Sequence, residues 1–156
     1  MEETTHQDYR KLVESVQIIN VVLSEAEIKR IWPSPDIPPK AIVNVKVDKE
    51  LRSWTKTEFS SAVTCEIGVI YSPDVEQRGE TNAATADGDR PVLECNCTFL
   101  AFYKIEKPKV KVTEELLDLF NSRNLMINVW PYVREFVSSI STRMGFPAIV
   151  LGVTRG

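Results

Sequence analysis

A chain of 156 residues is long enough for one domain with its own core and too short for two of ordinary size. With 43% apolar and 26% charged residues it has the balance of a soluble globular protein, and its net charge of −3 gives no concentrated positive field for nucleic acid. No stretch approaches the ~18–20 apolar residues of a membrane span, and the polar start, Met1 to Arg10, lacks a signal-peptide core.

In chain order, Gln7 to Val16 can form a short helix, and Gln17 to Ile31 reads as a first, irregular strand. Trp32 to Lys40, WPSPDIPPK, carries four prolines, which forbid helix and central strand and suit a crossover along an edge of a sheet. From Ala41 to Leu51 the residues Ala41, Val43, Val45, Val47 and Leu51 alternate with Asn44, Lys46, Asp48 and Glu50, the period of a strand with one wet face. Phe59 to Tyr71 repeats the pattern through Phe59, Val63, Cys65, Ile67 and Val69. Asp74 to Pro91, with Gly79, Gly88 and mixed charge, reads as a long mobile loop. Val92 to Ile105 aligns Leu93, Cys95, Cys97, Phe99, Ala101, Tyr103 and Ile105, while Leu100 and Phe102 interrupt its polar side. Strands with one dry face pair as an antiparallel sheet.

The last third changes period. Lys104 to Lys111 is basic and reads as a solvated loop. Thr113, Glu114 and Glu115 before Leu116, Leu117 and Phe120 make a capped short helix. A longer helix follows from about Asn124 or Asn128 to Met144, with Val129, Trp130, Val133, Phe136, Val137, Ile140 and Met144 on one broad stripe. Pro131 belongs near a first turn or a bend, which draws the expected start toward it. Gly145 supplies the stop, and Phe146-Pro147 begins an extended exit to Leu151. The fold class is α+β: a four-stranded antiparallel sheet packed by a long helix in the C-terminal region. The whole chain, 1–156, forms one domain with its core between Gln17 and Leu151.

Catalytic signatures are sparse. His6, in a polar terminus expected to fray, is the one histidine, so no serine or cysteine nucleophile has a histidine partner. The glycines match neither a phosphate-binding loop nor a dinucleotide fingerprint. Cys65, Cys95 and Cys97 are an odd, sparse set, better suited to reduced thiols in a cytoplasm than to a disulfide framework. Core packing explains them better than a zinc site, which wants four ligands. No enzyme, cofactor or metal is expected. Trp32, Trp130 and Tyr132 flank prolines, at places where a groove between loop, helix and sheet can be lined.

The run NVWPYVREFVSSISTRMGFPAIVL, Asn128 to Leu151, resembles the SecB family through Pro131, Tyr132, Arg134, Glu135, Ser138 or Ser139, Phe146 and Pro147. The order of strand, crossover, three strands and helix is similar from Gln17 onward. The resemblance implies a cytoplasmic holdase chaperone, a homodimer or homotetramer whose long helices lie between larger sheets, with clients held extended in apolar grooves. Carried over by position, the peptide-binding residues are Ile37, Val43, Val45, Val92 and Tyr132; Trp32, Phe102 and Trp130 are added from their own placement. Two departures speak against docking on the SecA motor. Cys95 stands where the family has an acidic residue, and no further amphipathic helix and acidic tail follow Leu151 before Gly156. Three functions stay open: a general holdase that can serve protein export, a chaperone dedicated to one client such as an antitoxin, and an interaction module without grooves.

Overall fold

Alternation in the first two-thirds of the chain resolves into one antiparallel sheet, with the helices gathered on its apolar face. The computed structural model describes residues 2–38, 40–71 and 89–152. Helix α1 (Glu2–Ser15) runs directly into β1 (Val16–Arg30), followed by β2 (Ala41–Trp54), β3 (Glu58–Tyr71) and β4 (Arg90–Ile105). α1 starts ahead of the expected Gln7, so His6 is exposed on a helix and not in a frayed end. Buried Tyr9 and Leu12 tie α1 to the core. Of the stretch expected as a long mobile loop, Asp74 to Pro91, residues 74–88 lie outside the described residues. Its last residues, Arg90 and Pro91, open β4.

The strand order is β1-β4-β3-β2, so two strands consecutive in sequence occupy opposite edges. The proline-rich crossover therefore passes across one end of the sheet, past β4 and β3, and not along an edge as expected from its stiffness. Central β4 obeys its alternation closely: every second residue from Leu93 to Ile105 is at most 4% exposed. Edge strand β2 obeys it partly. Val45, Val47 and Leu51 are half-buried against the core, while Val43 stays 38% exposed and Ile42, on the other face, is buried. An edge strand has neighbours on one side alone, which dilutes the contrast between its faces.

The helical layer is one continuous run. Thr113 Oγ1 accepts the Leu116 N–H at 3.2 Å and starts α2 (Glu114–Phe120). A π-helical segment, Asn121–Leu125, then passes into α3 (Met126–Arg143). The expectation of a helix start near Pro131 is thus corrected. Pro131 lies inside α3, and its ring removes the bond to the Ile127 carbonyl. Both residues are exposed, a setting in which water can stand in for the lost bond. The π-helical segment has a packing consequence: buried Asn121 Oδ1 accepts the Ser61 hydroxyl of β3 at 2.7 Å. At the far end Gly145 takes φ +86°, with Phe146 N–H on Ser141 O at 3.0 Å and Gly145 N–H on Thr142 O at 3.1 Å. This paired closure needs a left-handed residue after the last turn.

The main core joins α1, both faces of α2–α3 that meet the sheet, and the inward side of all four strands. Phe59 and Tyr103 stack at 4.7 Å, with Phe120 edge-on to each at 5.4 and 5.1 Å. Val129, Trp130, Val133 and Val137 are each at most 1% exposed, and burying side chains of this size contributes about 1.5–3 kcal/mol apiece. Trp130, expected as a possible groove residue, is therefore core. Its indole N–H donates to Gly152 O at 2.7 Å, so both its apolar body and its polar edge are satisfied inside. No helix among the described residues is long and apolar enough to cross a membrane.

Cys65, Cys95 and Cys97 lie in the same core, each at most 1% exposed. Cys65 pairs directly with Cys97 across β3 and β4, and Cys95 is two residues along on the same face. The hydrogen bond with Cys97, and then burial, push the Cys95 thiol well above its ordinary value.

Two outcomes test this core. Trp130→Ala is expected to cost about 3–5 kcal/mol in denaturant unfolding; a loss under about 1 kcal/mol would show that Trp130 does not fill the core as described. Thiol titration with an aromatic disulfide near neutral pH is expected to find no fast-reacting cysteine until denaturant is added. A rapid burst from even one thiol in the native protein would contradict the packing.

Candidate functional site

A register irregularity builds a groove that gathers three of the residues expected to bind peptide. Val69 pairs with Leu93 and Ile70 with Pro91, which leaves Val92 as the extra residue of a bulge. Pro91 has no N–H to give the ladder, a position that favours such a break. Simple alternation would send Val92 and Leu93 to opposite faces. With the bulge, both line the same cavity and both are 1% exposed. The bulge also anchors the crossover, because Val92 O accepts the N–H groups of Ile31 at 2.9 Å and Trp32 at 3.0 Å.

The groove lies at the end of the sheet where α3 has stopped. Its floor is Val69, Val92 and Leu93; Ala41 and Val43 of β2 form one side, and Ile37 and Pro38 of the crossover the rim. The chain beyond α3, Phe146 to Ile149, closes it from the opposite side. This tail is held by buried Ser141, whose Oγ accepts the Ile149 N–H at 3.0 Å while donating to Ser138 O at 2.9 Å. The cavity measures about 210 Å³, and every residue lining it is apolar. Ile37 is 55% exposed, so the rim presents apolar surface to water.

Of the residues expected to bind peptide, the structure thus brings together Ile37, Val43 and Val92. Trp32 stands behind the wall, half-buried against the cluster of Val69, Val92, Leu93 and Phe146. Its ring meets Tyr71 edge-on at 5.5 Å, carries the Arg90 guanidinium at 4.8 Å, and donates its N–H to Asp36 O at 2.9 Å. Val45 packs into the main core. Phe102 is 38% exposed on the opposite face of the sheet, beside half-buried Leu100. Tyr132 is 47% exposed on α3 and does not line the groove. Sequence reasoning missed Ala41, Val69, Leu93 and the tail as lining. The Phe146-Pro147 pair after Gly145 was the available signal for the tail, since it ends a helix with an apolar residue that needs cover.

A second cavity of about 230 Å³ lies at the other end of the helical face, between α1, the start of β1 and α3. Val13, Ile18 and Ile127 line it and are 37%, 46% and 55% exposed. Tyr103 and Asn128 supply its polar side, with Asn128 Nδ2 donating to the Tyr103 hydroxyl at 2.9 Å. Burial pushes the Tyr103 hydroxyl up to about 12, against the opposing effect of that bond. Among the described residues no group of histidines, cysteines and carboxylates is placed to hold a metal ion.

No protein-family model matches the sequence, and no curated protein matches it significantly. Solved structures do. A SecB-like chaperone from Mycobacterium tuberculosis, in complex with a ChAD peptide from the HigA1 antitoxin, superposes with a TM-score of 0.75 at 16% identity. The match covers 97% of this chain and 99% of that one. A protein of unknown function from Streptococcus agalactiae gives a TM-score of 0.45 at 10% identity, over 88% of this chain and 96% of that one. The four-stranded antiparallel sheet with its long C-terminal-region helix is accordingly the SecB-like fold.

Proposed function

We propose that this chain is a SecB-like chaperone, which holds non-native polypeptide by lodging apolar side chains in the groove between crossover, β2 and tail. The observation that carries this is the groove itself: an all-apolar cavity of about 210 Å³ with an exposed apolar rim. An apolar cavity of about 150 Å³ is enough to admit benzene, so this one takes a single aromatic or large aliphatic side chain. With no charged or polar side chain in the lining, it selects for apolar bulk and not for sequence. Folded proteins keep such side chains inside, which makes selection for bulk a selection for unfolded segments.

Backbone recognition is available beside it. β2 is the last strand of the sheet, and Val43 lies on it, so an extended segment can add along that edge while dropping one side chain inward. Binding of this kind shifts the client's folding equilibrium by mass action and needs no nucleotide. Ile18, Ile19 and Leu23, 46%, 61% and 44% exposed on the other edge strand, favour a homo-oligomer. Several grooves on one assembly would then add avidity. A cytoplasmic location follows from the same role.

Two breadths of client fit the groove. A general holdase, including one that feeds export, accepts many unfolded chains; a dedicated chaperone accepts one. The antitoxin peptide held by the mycobacterial neighbour favours the dedicated form, with an antitoxin as client.

The test is binding to a permanently unfolded probe, reduced and carboxymethylated α-lactalbumin, against the same protein in its native state. The unfolded form alone is expected to bind. Ile37→Asp, in an irregular and exposed segment, should weaken binding about tenfold or more while leaving the melting temperature within a few degrees. Capture of neither form by a well-folded sample, or equal binding by Ile37→Asp, would remove the groove as the client site.

A further inference from the structure

The two irregular walls of the groove, crossover and tail, meet on one side chain. Arg30 ends β1 and pairs with Leu93, so it rises beside the groove floor on the same face. Its Nε–H donates to Met144 O at 2.9 Å, one of the carbonyls that the end of α3 leaves without a helical partner. One terminal N–H donates to Ser34 O at 2.8 Å and the other to Trp32 O, both in the crossover. The guanidinium carbon stands 4.7 Å over the ring of Phe146, which lines the groove from the tail.

We propose that Arg30 is the positioning residue of the groove, tying crossover to tail and so setting the width open to a client side chain. The inference rests on the groove being the client site. Trp32 packs in the same apolar cluster as Phe146, but the backbone N–H groups of each wall bond elsewhere. Ile31 and Trp32 bond to β4, while Phe146 and Ile149 bond to Ser141 of α3. Arg30 reaches across. A planar fork is what the arrangement requires, because it offers N–H groups in three directions while its face stacks on an aromatic ring. A lysine ammonium can meet one carbonyl cluster but cannot stack and bridge at once. The positive charge also lies where the α3 dipole and its free carbonyls favour it. Because Arg30 is an exposed residue at the sheet's end, losing it should leave global stability nearly intact and loosen the walls. A groove with loosened walls must order them when a client enters, and it discriminates less sharply between large and small side chains.

The experiment compares parent, Arg30→Ala and Arg30→Lys on two fluorescein-labelled peptides identical except for a central Phe or Ala, with thermal melts as the control for folding. The parent is expected to prefer the Phe peptide about tenfold, and both variants should reduce that preference to about twofold or threefold without a matching change in melting temperature. General destabilisation would lower binding of both peptides equally and leave the ratio alone. Spin labels on Pro35→Cys and Val150→Cys, both exposed positions, read the wall-to-wall distance directly, and the three native thiols are buried away from the label. Arg30→Ala should broaden that distance distribution. An unchanged distribution with an unchanged Phe-to-Ala ratio overturns the role of Arg30 and leaves the client groove standing. A parent that binds neither peptide sinks the client groove, and the positioning role with it.

Discussion

Burial of the apolar stripe of α3 against the inward face of β4 and β1 is the constraint on which the remaining structure rests. Val129, Trp130, Val133 and Val137 have almost no exposure, and none of them could be left in water without losing a large part of a domain's marginal stability. The sheet offers one continuous apolar face, so the helices must all lie on that side. This leaves the other face to Glu66, Glu94, Asn96 and the Thr64–Thr98 hydroxyl pair at 3.1 Å, beside Leu100 and Phe102. The π-helical segment serves the same burial. It lets α2 and α3 run as one element while Asn121 meets Ser61 and Leu125 and Met126 remain inside.

The groove is a consequence of where that burial ends. α3 stops at Gly145, and the apolar sheet does not: Val69, Val92 and Leu93 continue past it. Two irregular segments cover the remainder, the crossover from one side and the tail from the other. Irregular backbone packs less completely than a helix, because its carbonyls and N–H groups must be satisfied one at a time. Ser141, Arg30, the Val92 carbonyl and the Trp130 indole each satisfy one or more of them. What those partners do not close is an apolar cavity open to solvent. Polar fixation and apolar lining are thereby separated, which suits a site that grips bulk without reading sequence.

The likeness to the mycobacterial chaperone spans almost the whole of both chains at low identity. Such a pairing is what burial and strand order preserve, since many apolar sequences satisfy one pattern of faces. Chemistry of recognition is not preserved in that way. Ile37, Val43 and the tail supply the apolar rim and lining on which the proposed client site rests.

Local periodicity by itself was enough to determine the four strands, the capped α2, the stop at Gly145 and the inward set of β4. These depend on side-chain alternation, capping and a left-handed residue, all of them properties of neighbours in sequence. The family resemblance, not periodicity, marked Ile37, Val43 and Val92, while the shared strand face of the cysteines marked their burial. Tertiary structure alone decided the rest. Trp130 looked like a groove residue beside Pro131, but its depth depends on what packs above it. The π-helical segment that joins α2 to α3 sets Asn121 against a hydroxyl sixty residues away, at Ser61. The crossover's path depends on strand order, which no local pattern encodes. Val92 joins Leu93 in one cavity because a bulge opposite Val69 and Ile70 overrides alternation, and the walls meet on Arg30 because distant segments converge there. Periodicity reports which residues seek burial; which of them share a cavity is set by long-range pairing, and that is resolved only when the whole sheet forms.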